Sequence, residues 1–330
     1  MLKISVKLKI FILCFKIVVL FLLTACSPNF AQSPDSPSSS SSPHIAEHSF
    51  VSFDSTILPL RMWLPADEIK GVVIALHGLN DYSNFIKDAA SFFNKQKLAL
   101  YAYDQRGFGQ STTRGKWSGW QAMTDDLATF VKLIKQKYPD TPVYILGVSM
   151  GGAVAIVTMA QSNPPDVQGV ILVAPAVWAR SEMPFYQRFA LWVSAHTLPW
   201  VKVSGQSLGI TASDNIEMLR ELGKDPLVIK ETRIDVLYGL SNLMDRAFDS
   251  AERFKDTSLL LYGEKDEIIP REPVFDFYKR LPLKSQDQQR MILYEKGYHM
   301  LLRDLQSAKV LTDIVGWIND EAKTSFYAND

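Results

Sequence analysis

Eight short runs of apolar, β-branched and aromatic residues punctuate the chain: His48 to Phe53, Leu58 to Leu64, Gly71 to Leu76, Leu98 to Tyr103, Val143 to Val148, Gly169 to Val173, Leu259 to Tyr262 and Met291 to Tyr294. From Gly71 onward most of them alternate with helical stretches, among them Asn84 to Lys95, Trp120 to Lys137, Met150 to Gln161 and Leu301 to Ile318. Alternation of strand and helix patterns, with strands apolar along nearly their whole length, predicts a mostly parallel eight-stranded sheet with helices on both faces. Sites in such sheets lie beyond the carboxyl ends of the strands. Between Val173 and Leu259 run about 85 residues, far more than the roughly 2 to 6 of an ordinary connection, even with one helix added. The excess predicts a helical cap at about 178–252, inserted after the sixth strand. It carries Trp178, Phe185, Tyr186, Phe189, Trp192, Val193, Trp200, Leu237, Tyr238, Leu240 and Met244, several at three- and four-residue spacing. Most of these are expected to seal the cap onto the core, and a minority to line an apolar entrance suited to an acyl chain.

The beginning of the chain has a different character. Lys3, Lys7 and Lys9 precede an apolar stretch from Ile10 to Leu23 that is broken by Lys16, and the segment ends Leu23-Thr24-Ala25-Cys26. The uninterrupted apolar run is shorter than the roughly 18 residues that a membrane span requires. Small residues before a cysteine resemble the lipobox of bacterial lipoproteins. That resemblance implies cleavage after residue 25, acylation of Cys26 and anchoring to a membrane of the cell envelope, the outer one if the source is Gram-negative, since Ser27 is not the aspartate linked to inner-membrane retention. Residues 26–46 include the run Ser-Pro-Asp-Ser-Pro-Ser-Ser-Ser-Ser-Ser-Pro at 33–43. Such a composition buries nothing, and as a coil it would reach about 25 Å.

Composition changes meaning once that segment is set aside. The full chain of 330 residues has 35 basic and 35 acidic residues and 47% hydrophobic residues, a globular composition without the charge that draws nucleic acid. Residues 1–25 carry four lysines and no acid, so the expected mature chain has 31 basic residues against 35 acidic ones. It also loses Cys14, the other of the two cysteines, which leaves no thiol for a disulfide or a cysteine metal site. No second linker or repeat follows, and residues 47–330 are expected to fold as one domain, as a monomer and with no metal or organic cofactor.

The candidate chemistry begins at Gly147-Val148-Ser149-Met150-Gly151, directly between a predicted strand and a predicted helix. A serine on that sharp turn stands clear of the sheet, and side chains at 147 or 151 would collide with neighbouring elements. The N–H of Met150, in the first helical turn, faces where an oxyanion would form. Such a serine needs a base. With the order serine, acid, histidine, His299 in Gly297-Tyr298-His299 is favoured over His196, which reads as a packed helical residue. The acid should follow a strand, and Leu259 to Tyr262 leads into Gly263-Glu264-Lys265-Asp266-Glu267. Asp266 is assigned, with Glu264 and Glu267 in the same loop. A second oxyanion donor is expected at Leu79, after Gly78, and His77 is expected to brace that loop rather than react.

With these residues in place, the sequence resembles the α/β-hydrolase fold and, within it, the monoacylglycerol lipase and lysophospholipase branch, over about residues 50–320. The likeness also rests on Tyr103-Asp104-Gln105-Arg106-Gly107-Phe108-Gly109-Gln110-Ser111, on Asp225-Pro226-Leu227 and on Gly263-x-x-Asp266-x-Ile268-x-Pro270. The resemblance implies a serine hydrolase of fatty acyl esters, with Asp104 and Arg106 bracing loops. Where the branch runs on to Gly-Glu-His-Ser, this chain has Asn80-Asp81-Tyr82-Ser83. Asp81 then takes the acidic place that contacts a polar head group. The lead expectation is cleavage of monoacylglycerols or lysophospholipids. An amide-cleaving aminopeptidase, gripping an amine with Glu217, Glu221 or Asp225, is the enzymatic alternative. A non-catalytic lipoprotein that binds an envelope partner is the alternative of another class.

Overall fold

The computed structural model describes residues 42–205, 209–282 and 288–327. The signal-like segment, Cys26 and nearly all of the tether lie outside the described residues. Among the described residues there are eleven strands: β1 (His44–Ile45), β2 (Ser49–Val51), β3 (Ile57–Trp63), β4 (Gly71–Leu76), β5 (Leu98–Tyr103), β6 (Val143–Val148), β7 (Gly169–Val173), β8 (Lys202–Val203), β9 (Thr232–Arg233), β10 (Ser258–Gly263) and β11 (Gln289–Tyr294). Nine of them form one sheet in the order β1-β2-β3-β5-β4-β6-β7-β10-β11. The first three pairings are antiparallel, and everything from β5 to β11 is parallel. All eight expected strands are present. The ninth is β1, whose two residues had been read as the end of the tether and instead pair with Val51 and Phe50.

The parallel centre is double-faced, as its composition predicts. Every residue of β4 is buried, and successive side chains go to opposite layers: Val72, Ile74 and Leu76 to one, Val73 and Ala75 to the other. Helices α2 (Trp120–Lys137), α3 (Met150–Met159), α6 (Ile234–Asp249) and α7 (Arg271–Lys279) cover the first face with residues such as Leu127, Phe130, Val154, Leu243 and Phe277. On the second face lie α1 (Lys87–Lys95) and α8 (Ser307–Tyr327), through Ala89, Phe93, Val310 and Ile314. The last helix starts at Ser307 rather than near Leu301. Leu301 and Leu302 are buried in the turns that precede it, held by Asp304, whose carboxylate accepts from the backbone N–H of Tyr298.

The cap spans the connection between β7 and β10 with α4 (Phe185–Thr197), the β8–β9 ribbon, α5 (Ile216–Lys224) and α6. Its aromatic residues depart from the expected packing. Phe185, Tyr186, Phe189, Trp192 and Trp200 are exposed, the first at 70%. Apolar periodicity marks a face that avoids water; it does not say whether protein covers that face.

One ion network ties the antiparallel edge to the core. Arg106, after β5, donates through Nε and Nη2 to Asp126 on α2, at 2.7 Å each, and through Nη1 and Nη2 to Asp54, at 2.7 and 2.8 Å. Burial alone would raise the Asp54 carboxyl, but the hydrogen bonds and charge of Arg106 hold it well below the usual carboxylate range. At Asp126 the deeper burial prevails and the carboxyl is raised. Removing the guanidinium would leave Asp126 buried without its cation. Arg106→Leu should therefore lower unfolding free energy by about 3 to 5 kcal/mol, measured by urea denaturation followed by circular dichroism.

Candidate active site

Ser149 sits between β6 and α3 with φ 50° and ψ −114°, a conformation that L-residues resist and that persists only where the surroundings enforce it. They do so from both sides. The serine N–H donates to Val173 O of β7 (3.0 Å), while its carbonyl accepts from Ala153 N of α3 (3.1 Å) and from Ala176 N after β7 (3.0 Å). The glycines around it are close approaches rather than ornaments of a motif. A Cβ at Gly147 would stand 2.5 Å from Gly151 O, and one at Gly151 would stand 2.4 Å from Leu76 O. The turn can be this tight only without side chains there.

The loop after β4 reaches the serine directly, since a Cβ at Gly78 would fall 3.4 Å from that of Ser149. Its shape is fixed by His77, as expected, and by Gln105, whose part in the site was not expected. Gln105 N donates to His77 Nε2 (2.9 Å) and Gln105 Nε2 donates to His77 O (2.8 Å). Because Nε2 accepts, the proton of the neutral ring is on Nδ1, and it donates to Gly78 O at 2.8 Å. Burial disfavours the charged ring and lowers the His77 pKa. Beyond β5, Asp104 braces as the resemblance implied, accepting from Ser83 N (2.9 Å) and Gln110 N (2.8 Å).

His299 and Asp266 come together from the loops after β11 and β10. His299 Nδ1 donates to Asp266 Oδ2 at 2.7 Å, with the carboxylate side chain fully buried. The other oxygen, Oδ1, accepts from Ile268 N and Ile269 N at 2.8 and 3.0 Å. The two loops are also laced to each other, through Glu264 N to Tyr294 O and Lys265 N to Gly297 O. With Nδ1 committed to an acceptor, the neutral imidazole presents its lone pair at Nε2. Glu264 and Glu267 are engaged elsewhere: Glu264 faces Arg271 at 3.7 Å, and Glu267 accepts from Thr211 N. His196 lies in the cap, donating from Nδ1 to Trp192 O and stacked on the Trp192 ring.

Ser149 and His299 line one cavity of about 340 Å³, together with Gly78, Leu79, Asn80 and Asp81 from the β4 loop. The rest of its wall is largely apolar, including Phe85, Ala212, Leu240, Met244, Ile268, Ile269 and Leu302. Met150 is the first residue of α3, where backbone donors have no carbonyl within the helix. Asp81 lines the cavity, but its carboxylate is already engaged by Arg303 Nη2 (3.0 Å) and Tyr82 N (2.9 Å). The carboxylates considered for gripping an amine are not in the lining. Glu217 pairs with Arg220, Glu221 with Lys224, and Asp225 accepts from Tyr82 OH. Arg303, Asn80 and Gln105 are the site residues that sequence reading passed over. Each lies one to four positions from a residue it did single out. Among the described residues, no cluster of acids, histidines or cysteines could hold a metal ion.

The cap segment 211–215 is stitched to the loop that carries His299. Met300 N donates to Ala212 O (3.1 Å), Ser213 Oγ to Asp304 (2.6 Å), Asn215 Nδ2 to Arg303 O (3.0 Å) and Leu305 N to Asp214 (2.9 Å).

Comparison with known proteins gives the same architecture. The family described as Hydrolase_4, serine aminopeptidase S33, matches residues 67–306. The chain is 27% identical over 275 residues to the monoglyceride lipase of Rattus norvegicus, covering 82% of this chain and 89% of that one. Two solved structures are similar in fold. A Paleococcus ferrophilus monoacylglycerol lipase has a TM-score of 0.66 at 22% identity, over 80% of this chain and 99% of that one. A soluble variant of the Saccharomyces cerevisiae monoglyceride lipase, in complex with a substrate analog, has 0.70 at 18%, over 88% and 99%.

His77 gives a pH prediction. A native ring that resists protonation means that the unfolded state takes up a proton the folded state refuses, so stability should fall as pH drops below about 6.5. Urea midpoints measured across that range should show the decline, and His77→Gln should flatten it.

Proposed function

The chain belongs to the Hydrolase_4 family (serine aminopeptidase, S33), and on that footing we propose that it is a serine ester hydrolase acting on monoacylglycerol-type substrates. One observation carries the mechanism: an aspartate-bound histidine and a serine in a strained turn face the same apolar cavity. Ser149 Oγ attacks the ester carbonyl while His299 Nε2 takes its proton. Asp266 holds the ring in the required tautomer and stabilises the imidazolium. The N–H groups of Leu79 and Met150 donate to the oxyanion, and the leaving alcohol departs with the proton from His299. Water, deprotonated by the same base, then releases the acid. The apolar wall favours an acyl chain over a charged peptide amine. Ester hydrolysis is accordingly preferred over aminopeptidase action, although the family takes its description from the latter. The similar proteins of Rattus norvegicus, Paleococcus ferrophilus and Saccharomyces cerevisiae are named as monoglyceride or monoacylglycerol lipases, and the cavity accords with that class.

The setting we propose is a lipid surface in the cell envelope, reached through acylated Cys26, with the outer membrane as the expected location if the source is Gram-negative. The exposed Phe185, Phe189 and Trp192 recur at helical spacing on α4. A helix face of this kind suits contact with a lipid aggregate from which substrate is drawn.

Hydrolysis of nitrophenyl esters of graded chain length should fall by about 10⁴-fold in Ser149→Ala and by a similar factor in Asp266→Asn. Turnover retained by the serine variant would overturn the assignment. In cell fractionation, Cys26→Ser should move activity from the membrane to the soluble fraction. Exchanging Phe185, Phe189 and Trp192 for serine should lower the ratio of turnover on vesicle-borne ester to turnover on the same ester as free monomer.

A further inference from the structure

The chain enters the fold at the same edge of the sheet that carries the candidate active site. β5 ends at that edge with Tyr103, and the pairing of Leu60 with Tyr103 sets β3 antiparallel to it, so Ile57 lies further out along the same direction. Val51 of β2 pairs with Ile57, and His44 of β1 pairs with Val51. The β2–β3 turn is fastened there by Arg106, which donates to Asp54, and by Asp126, which accepts from Ser52 Oγ. Arg106 adjoins Gln105, which clamps the loop leading to Leu79. The residues ahead of His44 therefore leave the fold at the carboxyl edge. The other end of the fold runs away from it. α8 leads toward the amino ends of the strands, where Tyr144 OH donates to Ile318 O (3.4 Å) and a Cβ on Gly169 would stand 2.5 Å from the Trp317 ring. Tyr144 is the second residue of β6 and Gly169 the first of β7.

The cap lies over the carboxyl edge and leaves Phe185, Phe189 and Trp192 of α4 uncovered. α4 carries Arg188 and no acidic residue, which suits the phosphate layer of a bilayer. Resting on the ester and Cys26 readings above, we propose that this face docks on the same bilayer that holds the Cys26 acyl chains, so that the anchor aims the cavity at its own membrane. Eighteen positions separate Cys26 from His44, a coil of about 25 Å. β1 stands five strands from β6 in the sheet, or about 24 Å, so a relaxed tether lets the carboxyl edge lie on the bilayer. A domain of about 280 residues is roughly 50 Å across. Bringing the opposite edge to the bilayer would require the tether to be drawn out to about that length, near the limit of roughly 60 Å for 18 extended residues. With Cys26 anchored, docking becomes an intramolecular event at an effective concentration on the order of millimolar, and a modest apolar face is enough. An anchor at the other end of the fold would hold the cavity away from the lipid.

The test uses residues 26–330, which contain every described residue and have Cys26 as their one thiol. In one form Cys26 is coupled to a maleimide phospholipid in vesicles of phosphatidylethanolamine and phosphatidylglycerol. In the other, carrying Cys26→Ser, a copy of residues 27–43 and a terminal cysteine follow Asp330 and are coupled in the same way, so the tethers match in length. Turnover of a long-chain fluorogenic ester in the same vesicles is divided by turnover of a soluble short-chain ester. That ratio should be about tenfold or more higher for the amino-terminal anchor. Exchanging Phe185, Phe189 and Trp192 for serine should lower the ratio of the amino-terminal form by about threefold or more. Equal ratios for the two anchors, or an advantage undiminished in the triple variant, would overturn the proposal and leave the ester reading standing. Light scattering that shows the unanchored chain pairing through those three residues would also overturn it, since the face would then join two copies. Anchored forms that turn over neither ester would remove the ester reading. A full-length chain expressed in a Gram-negative host whose Cys26 carries no acyl group in mass spectrometry would remove the anchor reading and this proposal with it.

Discussion

The strained turn at Ser149 is the constraint around which the rest of the molecule is organised. A positive φ at a serine is unfavourable by itself and lasts only where neighbouring backbone holds it. Here β7 takes the serine N–H, and both α3 and the chain after β7 bond its carbonyl. Glycines at 147 and 151 admit β4 and α3 to distances no side chain would allow. The nucleophile is therefore positioned by the centre of the sheet rather than by a flexible loop, and its geometry is secured by fully buried strands on either side.

The remaining groups are brought to that point by bonds between loops. Gln105 clamps His77 by its backbone N–H and by its side chain, and His77 in turn closes onto Gly78. The loops of Asp266 and His299 are joined by backbone hydrogen bonds as well as by the carboxylate and imidazole. Each strand end thus supplies one component, and each component is braced by the next strand along. This is how an open parallel sheet builds a site at its carboxyl edge from residues distant in sequence.

Much of this was legible in the sequence, for identifiable reasons. Strands β4 to β7 and β10 announce themselves because burial on both faces requires unbroken apolar runs. Ser149, Asp266 and His299 could be placed because strand ends and glycine sterics restrict where such residues can be held. The exceptions have physical causes too. Two residues of β1 carry too little pattern to stand out from the Ser/Pro-rich stretch before them. Leu301 and Leu302 have helical spacing, yet the side-chain oxygen of Asp304 takes the backbone donor of Tyr298 and turns the chain first. The exposed aromatic residues of α4 show the limit of periodicity, which reports an apolar face but not its surroundings. Asn80 and Arg303 were invisible for another reason: a polar residue in a loop becomes informative only when its distant partners are known.

The stitching of residues 211–215 to the loop behind His299 restricts how the cap can behave as moving machinery. Were the whole cap to swing away as a rigid lid, it would drag on Met300, Asp304 and Leu305 and so displace the base from its carboxylate. Opening for a bulky acyl chain and keeping the base aligned are then separable only if the hinge lies within the cap, leaving 211–215 behind as a fixed sill. The cap is better understood as two parts in series: a sector bonded to the catalytic loop, and an outer sector around α4 that makes none of those bonds.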